Sequence, residues 1–202
     1  MTMNKIQKRY NRIAGIYDFL ESPMEMGFSK WRKELLGEAK GKTLEVGVGT
    51  GKNIAYYNDE VELTGIDFSP KMIEIAKKKA KGMENVQLHV MDAENMDFDD
   101  DTFDTIVTSC VYCSVPDPVK GMKEMKRVLK KGGVLLMLEH VRSKDKLVGK
   151  AMDLLNPIPL IIYGANINRH TYDNLLKAGF EEDQIRVKNL WFDIVKLIRI
   201  EA

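Results

Sequence analysis

Thr43-Leu44-Glu45-Val46-Gly47-Val48-Gly49-Thr50-Gly51 sets an acid and three alternating glycines into and behind an apolar run, where a buried strand is expected to turn into a helix. Glycine adopts positive φ without strain, and with no Cβ it lets the backbone approach a ligand closely. A dinucleotide-binding turn has the spacing G-x-G-x-x-G, whose last glycine would fall on position 52, and that residue is Lys52. The pattern here is E-x-G-x-G-x-G. A nearby acid repels a pyrophosphate seated on a helix N-terminus, whereas Glu45 favours a ligand that carries an ammonium group and no phosphate.

Outward from that turn, apolar strand candidates alternate with amphipathic helices: Lys42–Val46, Val61–Ile66, Val86–Val90, Phe103–Ser109 and Val134–Glu139. Such alternation predicts a parallel α/β sheet. Ser69-Pro70 and Asp117-Pro118 each place an N-cap residue before a proline at the first helical position. Met72, Ile73, Ala76 and Ala80 form the apolar stripe of the first of these helices, with a solvated lysine run opposite. Lys130-Lys131 followed by Gly132-Gly133 reads as a basic last turn and a glycine stop, with Val134 opening the fifth strand. Beyond Val141 the alternation breaks into Asn156-Pro157-Ile158-Pro159, read as an inserted cap. A short helix from Thr171 stops at Gly179, and the runs Gln184–Leu190 and Phe192–Ile200 follow so closely that they must form a hairpin.

At 202 residues and 44% hydrophobic, the chain suits one domain with a sizeable core. A net charge of +1 gives no global field for nucleic acid, and no nucleic-acid partner is expected. Cys110 and Cys113 are too few for a disulfide framework and lack companion histidines at ligand spacing, so no metal is expected. With no signal-peptide pattern or long apolar span, a cytoplasmic protein is expected.

The strand ends carry the ligand chemistry. Asp67 ends the second strand, where a carboxylate can accept from both hydroxyls of a ribose. Asp92-Ala93-Glu94 ends the third, offering a carboxylate and an amide suited to the amino group and ring nitrogen of adenine. Ser109 ends the fourth. Each acid alone could be a helix cap or loop residue. Together with Glu45 and with Gly47, Gly49 and Gly51 they predict an adenosyl pocket, and S-adenosylmethionine joins an adenosyl group to an ammonium without a phosphate.

Taken together, Glu45 to Gly51, Asp67, Asp92-Ala93 and the turn Arg127-Val128-Leu129-Lys130-Lys131-Gly132-Gly133 resemble the class I S-adenosylmethionine-dependent methyltransferases over nearly the whole chain. A closer resemblance is to bacterial phosphatidylethanolamine N-methyltransferases of the quinone-methyltransferase-like type and to membrane-associated alkyl-thiol methyltransferases. It rests on Tyr17-Asp18, Cys113-Ser114-Val115-Pro116-Asp117-Pro118, Glu139-His140-Val141-Arg142-Ser143 and Asn166-Ile167-Asn168-Arg169. The resemblance implies a Rossmann-like, seven-stranded, mostly parallel sheet with a C-terminal antiparallel hairpin and helices on both faces. It implies a single domain over 1–202: entry helices over 1–40, a cofactor core over 41–140, a substrate cap over 141–170, and a last helix and hairpin over 171–202. S-adenosylmethionine is the expected cofactor and S-adenosylhomocysteine its product, with Tyr10, Tyr17, Asn53, Phe68, Met72 and Tyr112 completing the expected contacts. The implied activity is methylation of phosphatidylethanolamine and its methylated derivatives toward phosphatidylcholine. The alternatives are S-methylation of small thiols, C-methylation of a quinone precursor, or a lipid-surface module that binds S-adenosylmethionine without turnover.

An amine acceptor must lose a proton before it attacks, and His140, with Tyr17 and Tyr112, is the group expected to help; a structural histidine is the competing reading. A phosphate on the acceptor would be met by Arg142 or Arg169, which could equally be surface ion-pair partners. Ile6, Tyr10, Ile13 and Tyr17 recur at helical intervals among Lys5, Lys8, Arg9 and Arg12. That basic amphipathic helix is either an anionic-membrane anchor, which would place the protein peripherally at the inner membrane surface, or a lid over the cofactor. Apolar Leu154–Tyr163 could be a second membrane contact, though such a stretch is expected to bury itself. A monomer is expected.

Overall fold

The computed structural model describes residues 3–162 and 164–202; Tyr163, at the end of the apolar cap stretch, lies outside the described residues, as do the first two residues of the basic segment. The chain opens with helices α1 (Met3–Ile13) and α2 (Tyr17–Leu36). It then alternates through β1 (Lys42–Val46), β2 (Glu62–Asp67), α3 (Pro70–Lys79), β3 (Val86–Val90), β4 (Phe103–Ser109), α4 (Pro118–Val128) and β5 (Leu129–His140). The cap is α5 (Lys146–Leu155) and α6 (Pro157–Ile162), and α7 (Thr171–Lys177), β6 (Ile185–Asn189) and β7 (Val195–Glu201) finish the fold.

The described strands form one seven-stranded sheet in the order β3-β2-β1-β4-β5-β7-β6. β1 to β5 run parallel, β7 is antiparallel to β5, and β6 pairs antiparallel with β7. The expected hairpin is present, and its second strand lies inside the first. Of the two, β7 has the denser alternation of apolar residues, with Val195, Ile198 and Ile200 buried, while β6 is exposed beyond Ile185 and suits an edge. Helices cover both faces. Met122, Met125 and Val128 of α4 and Leu175 of α7 pack one side, while Leu35 and Leu36 of α2 and Ile73 and Ala76 of α3 pack the other.

The capping signals hold locally. Ser69 Oγ accepts from Met72 N at 3.3 Å, and Asp117 Oδ1 accepts from Lys120 N at 3.0 Å. Two local expectations are corrected. First, only a short 3-10 turn, Ile54–Tyr56, follows the glycines where an α-helix was expected. Residues 52–61 must return the chain to the start of β2, and the steeper rise of a 3-10 turn covers that distance in fewer residues. Second, Lys130 to Gly133 belong to β5 rather than to a helix end. Leu129 pairs with Phe103, a register shift follows, and Gly132 takes φ +75° while its amide donates to Ala202 O at 2.7 Å.

Candidate cofactor and acceptor site

β1 and β2 bring their acids to one edge of the sheet, outside the carboxyl ends of the parallel strands, where ligands of open α/β folds bind. Glu45 and Asp67 both line the cavity there. Gly47 has φ +73°, and a Cβ on it would stand 2.4 Å from Val111 Cγ2. At Gly49, with φ +56°, a Cβ would meet nothing within 4 Å, so this residue leaves the cavity floor open. Gly51 is different. A Cβ there would press on Ile54 and on Ala76 of α3, so the expected ligand glycine packs the turn against a helix and is not on the cavity wall.

Glu45 accepts from Asn53 Nδ2 at 2.6 Å and from Tyr57 Oη at 3.1 Å. Burial pushes its carboxyl up to about 7 against the pull of those bonds and of Arg32. Asp67 accepts from Gly49 N at 3.1 Å and Ser69 N at 2.8 Å, and burial holds it at about 6. Both bonds to Asp67 fix the backbone on either side of the cavity, so this carboxylate shapes the floor as well as offering lone pairs. Asn53, Phe68, Met72, Asp92, Ala93 and Ser109 also lie on the wall.

Sequence reasoning missed Arg32 of α2, which donates to Asn53 Oδ1 at 2.8 Å and Ser109 Oγ at 3.1 Å from within the cavity. The signal was available: Arg32 is a charge on the helix face that buries Leu35 and Leu36. Phe28, one turn earlier, and Lys52 line the same wall.

The helix α1 lies over this opening. Gln7 Nε2 donates to Phe68 O at 2.5 Å, Tyr10 Oη and Ser114 Oγ share a hydrogen bond of 2.6 Å, and Ile6 is buried. The Tyr10 ring meets Phe68 edge-on at 5.5 Å and Tyr17 at 6.0 Å. The apolar stripe therefore faces the domain, in the manner of a lid, while Lys5, Lys8 and Arg12 are exposed.

Several expected contacts stand elsewhere. Glu94 Oε1 accepts from Asp117 N at 2.8 Å, tying the third loop to the start of α4 instead of facing the cavity. Tyr112 is fully buried behind the wall, its hydroxyl without a partner among the described residues. His140 is off the wall, and its burial lowers the imidazole from its ordinary range, which favours the neutral form. Arg142 forms a forked pair with Asp153 of α5, Nη2 to Oδ2 at 2.8 Å and Nε to Oδ1 at 3.0 Å, so it braces the cap. Arg169 Nη2 donates to Val115 O at 2.5 Å behind the wall. Both arginines are satisfied by protein acceptors, Arg142 by Asp153 of the cap and Arg169 by the backbone of the turn after β4.

Open space over Gly49, buried carboxyls at the ends of β1 and β2, apolar Phe68 and Met72 beside them and the Arg32 guanidinium opposite Glu45 fit an adenosyl group joined to an amino acid. With this strand order, the site defines an S-adenosylmethionine-dependent methyltransferase, and the chain belongs to that family. A methyltransferase-domain family model matches residues 44–137. The chain is 38% identical to a phosphatidylethanolamine N-methyltransferase of Cereibacter sphaeroides over 149 residues, covering 72% of each chain. It is 30% identical to a demethylmenaquinone methyltransferase of Staphylococcus epidermidis, covering 93% of this chain and 80% of that one. In fold it matches a SAM-dependent methyltransferase of Thermotoga maritima with a TM-score of 0.75 at 22% identity, over 96% of this chain and 98% of that one. Its cofactor is S-adenosylmethionine, which supplies a methyl group activated on a sulfonium.

Proposed function

We propose that this methyltransferase N-methylates phosphatidylethanolamine and its methylated derivatives, toward phosphatidylcholine, while docked peripherally on a membrane surface. The observation that carries the reading is the outer face of the cap. Leu147 and Leu154 of α5 are each 80% exposed, and Ile158, Ile161 and Ile162 of α6 are exposed beside them. The expectation that this stretch buries itself is overturned from Leu154 to Ile162. Monomeric soluble proteins rarely leave such a contiguous apolar face to water. Lys146 and Lys150, exposed on α5, give it the basic rim that anionic lipid attracts. Among the described residues no helix is long and apolar enough to cross a membrane, so the contact would be interfacial.

The cap and the lid are tied together, because Arg9 Nη1 of α1 donates to Leu160 O of α6 at 2.5 Å. A cap seated in the headgroup layer would thus lie beside the entrance that α1 covers. In this reading Glu45, Asp67 and the glycine turn hold the cofactor, α1 excludes water, and Tyr10 and Tyr17 face the acceptor's amine. The amine must reach the cavity with a free lone pair, and proximity supplies the catalysis. The relative from Cereibacter sphaeroides supports this acceptor. The menaquinone relatives favour C-methylation of a quinone precursor, which would use the same apolar face.

Labelled-methyl transfer in liposomes separates the readings. With phosphatidylethanolamine, its monomethyl form, a demethylated quinol and an alkyl thiol offered under identical conditions, label is expected in the two lipid amines. Label confined to the quinol or the thiol would overturn the lipid-amine reading. Leu154→Asp with Ile161→Asp is expected to lower liposome co-sedimentation by about 10-fold while cofactor binding is kept. Undiminished co-sedimentation would remove the cap from membrane contact.

A further inference from the structure

Glu139, near the end of β5, is the buried acid that the cofactor cavity does not use. Its side chain is fully buried, and desolvation pushes its carboxyl up to about 7. Burying a carboxylate is unfavourable before its bonds are counted, so an apolar residue would serve the core of β5 better. Its bonds converge on one feature. Oε1 accepts from Thr108 Oγ1 at 2.7 Å and from Val111 N at 3.3 Å, on either side of the point where the chain leaves β4.

The turn that begins there is strained. Cys110 has φ +56°, a left-handed conformation that strains a non-glycine residue and persists only where the surroundings over-determine it. The Cys110 amide donates to Leu138 O at 2.8 Å, so the restraints on both sides of the strained residue come from the end of β5. The turn is also wedged, since Val111 occupies the space that a Cβ on Gly47 would need. Ser109, Cys110, Val111 and Ser114 face the cavity, so a shift of the turn is a shift of the wall. At its exit, Arg169 Nη2 holds Val115 O, and the Arg169 guanidinium lies within the field of Glu139.

We propose that Glu139 is a positioning residue for methyl transfer: it pins the strained Ser109–Ser114 turn against Gly47, with Arg169 holding the exit at Val115, and so fixes the wall that aligns the acceptor. An in-line displacement loses rate steeply when reacting atoms are misplaced by about an ångström. Cofactor affinity, which rests on the ends of β1 and β2, depends on this turn far less. The inference rests on the methyltransferase class and holds for whichever acceptor turns over, so its failure leaves the lipid reading standing and the converse is equally true.

Glu139→Gln keeps the shape and an acceptor oxygen but replaces charge-assisted bonds to Thr108 and Val111 with weaker neutral ones. It is expected to lower kcat by about 10-fold with cofactor Kd changed less than about 3-fold. In the cofactor-free protein, amide exchange at Val111 and Tyr112 should rise about 10-fold while the strands keep their protection. Cys110→Gly removes the strain the clamp opposes, so adding Glu139→Gln to that variant should cost less than about 3-fold. Full kcat with unchanged exchange would overturn the proposal. So would an undiminished 10-fold loss in the Cys110→Gly background, or exchange rising across the whole sheet, which would mark a folding residue. If Glu139→Gln does not fold, Arg169→Met carries the same kcat and exchange readouts at the Val115 end.

Discussion

At the ends of β1 and β2 the cavity wall is main chain and short carboxylates; at the ends of β4 and β5 it is a turn held from behind by buried side chains. The first region closes over short separations. Asp67 reaches Gly49 across 18 residues and Asn53 reaches Glu45 across 8. The second closes over long ones, with Tyr10 bonded to Ser114 across 104 residues and Arg169 to Val115 across 54. Short-range geometry of this kind follows from strand register and is indifferent to the acceptor. Long-range contacts depend on how the entry helices and the cap settle on the sheet, and that is where an acceptor can be selected.

The difference can be broken most severely at Gly47. Gly47→Ala must place a Cβ against Val111 at a residue with φ +73°, and cofactor Kd by calorimetry is expected to rise at least about 100-fold. Near-normal binding would mean that the glycine turn does not form the floor. Asp67→Ala and Arg142→Ala sharpen the contrast at a smaller scale. The first removes the acceptor that fixes Gly49 and Ser69 and should weaken cofactor binding by about 10-fold or more. The second breaks only the pair with Asp153, 45% of whose side chain is exposed, and should alter turnover by less than about 2-fold. A larger loss with phospholipid than with a small soluble amine would restore Arg142 as a phosphate contact.

The smallest effect is on stability. The Glu45 carboxyl sits at about 7 in the fold against an ordinary 4.5, so between those values the folded state holds a proton that the unfolded chain has released. Stability therefore falls as pH rises through that window, by up to about 1.4 kcal/mol for each pH unit crossed. Without cofactor, Tm is expected to drop by a few degrees between about pH 5.5 and about pH 8, and Glu45→Gln should reduce that slope, with Asp67 and Glu139, raised to about 6 and about 7, carrying the rest. A Tm that rises over the same range would show that Glu45 is ionised at little cost.

Much of the fold was legible because its signals are local. The bounds of β1, β3 and β4 coincide with the apolar runs, and Ser69-Pro70 and Asp117-Pro118 start helices where their chemistry requires. The acids on the cavity wall were legible because a parallel strand ends where its apolar run ends. Arg32 escaped notice because its role depends on α2 crossing the sheet beside Asn53 and Ser109, residues remote or unremarkable in sequence. Glu94 and Tyr112 were misplaced because a strand end does not say which way the following loop turns.

Sequence alone determined the α/β class, the glycine turn and the identity of the cofactor, since these are set by residue type and spacing at the ends of successive apolar runs. Only the tertiary structure decided that α1 closes over the cavity, that α5 and α6 turn their apolar residues outward, that β7 lies inside β6, and that Glu139 holds the turn after β4. Those outcomes depend on which surfaces remain to be covered once the sheet has formed, and no window of sequence carries that information.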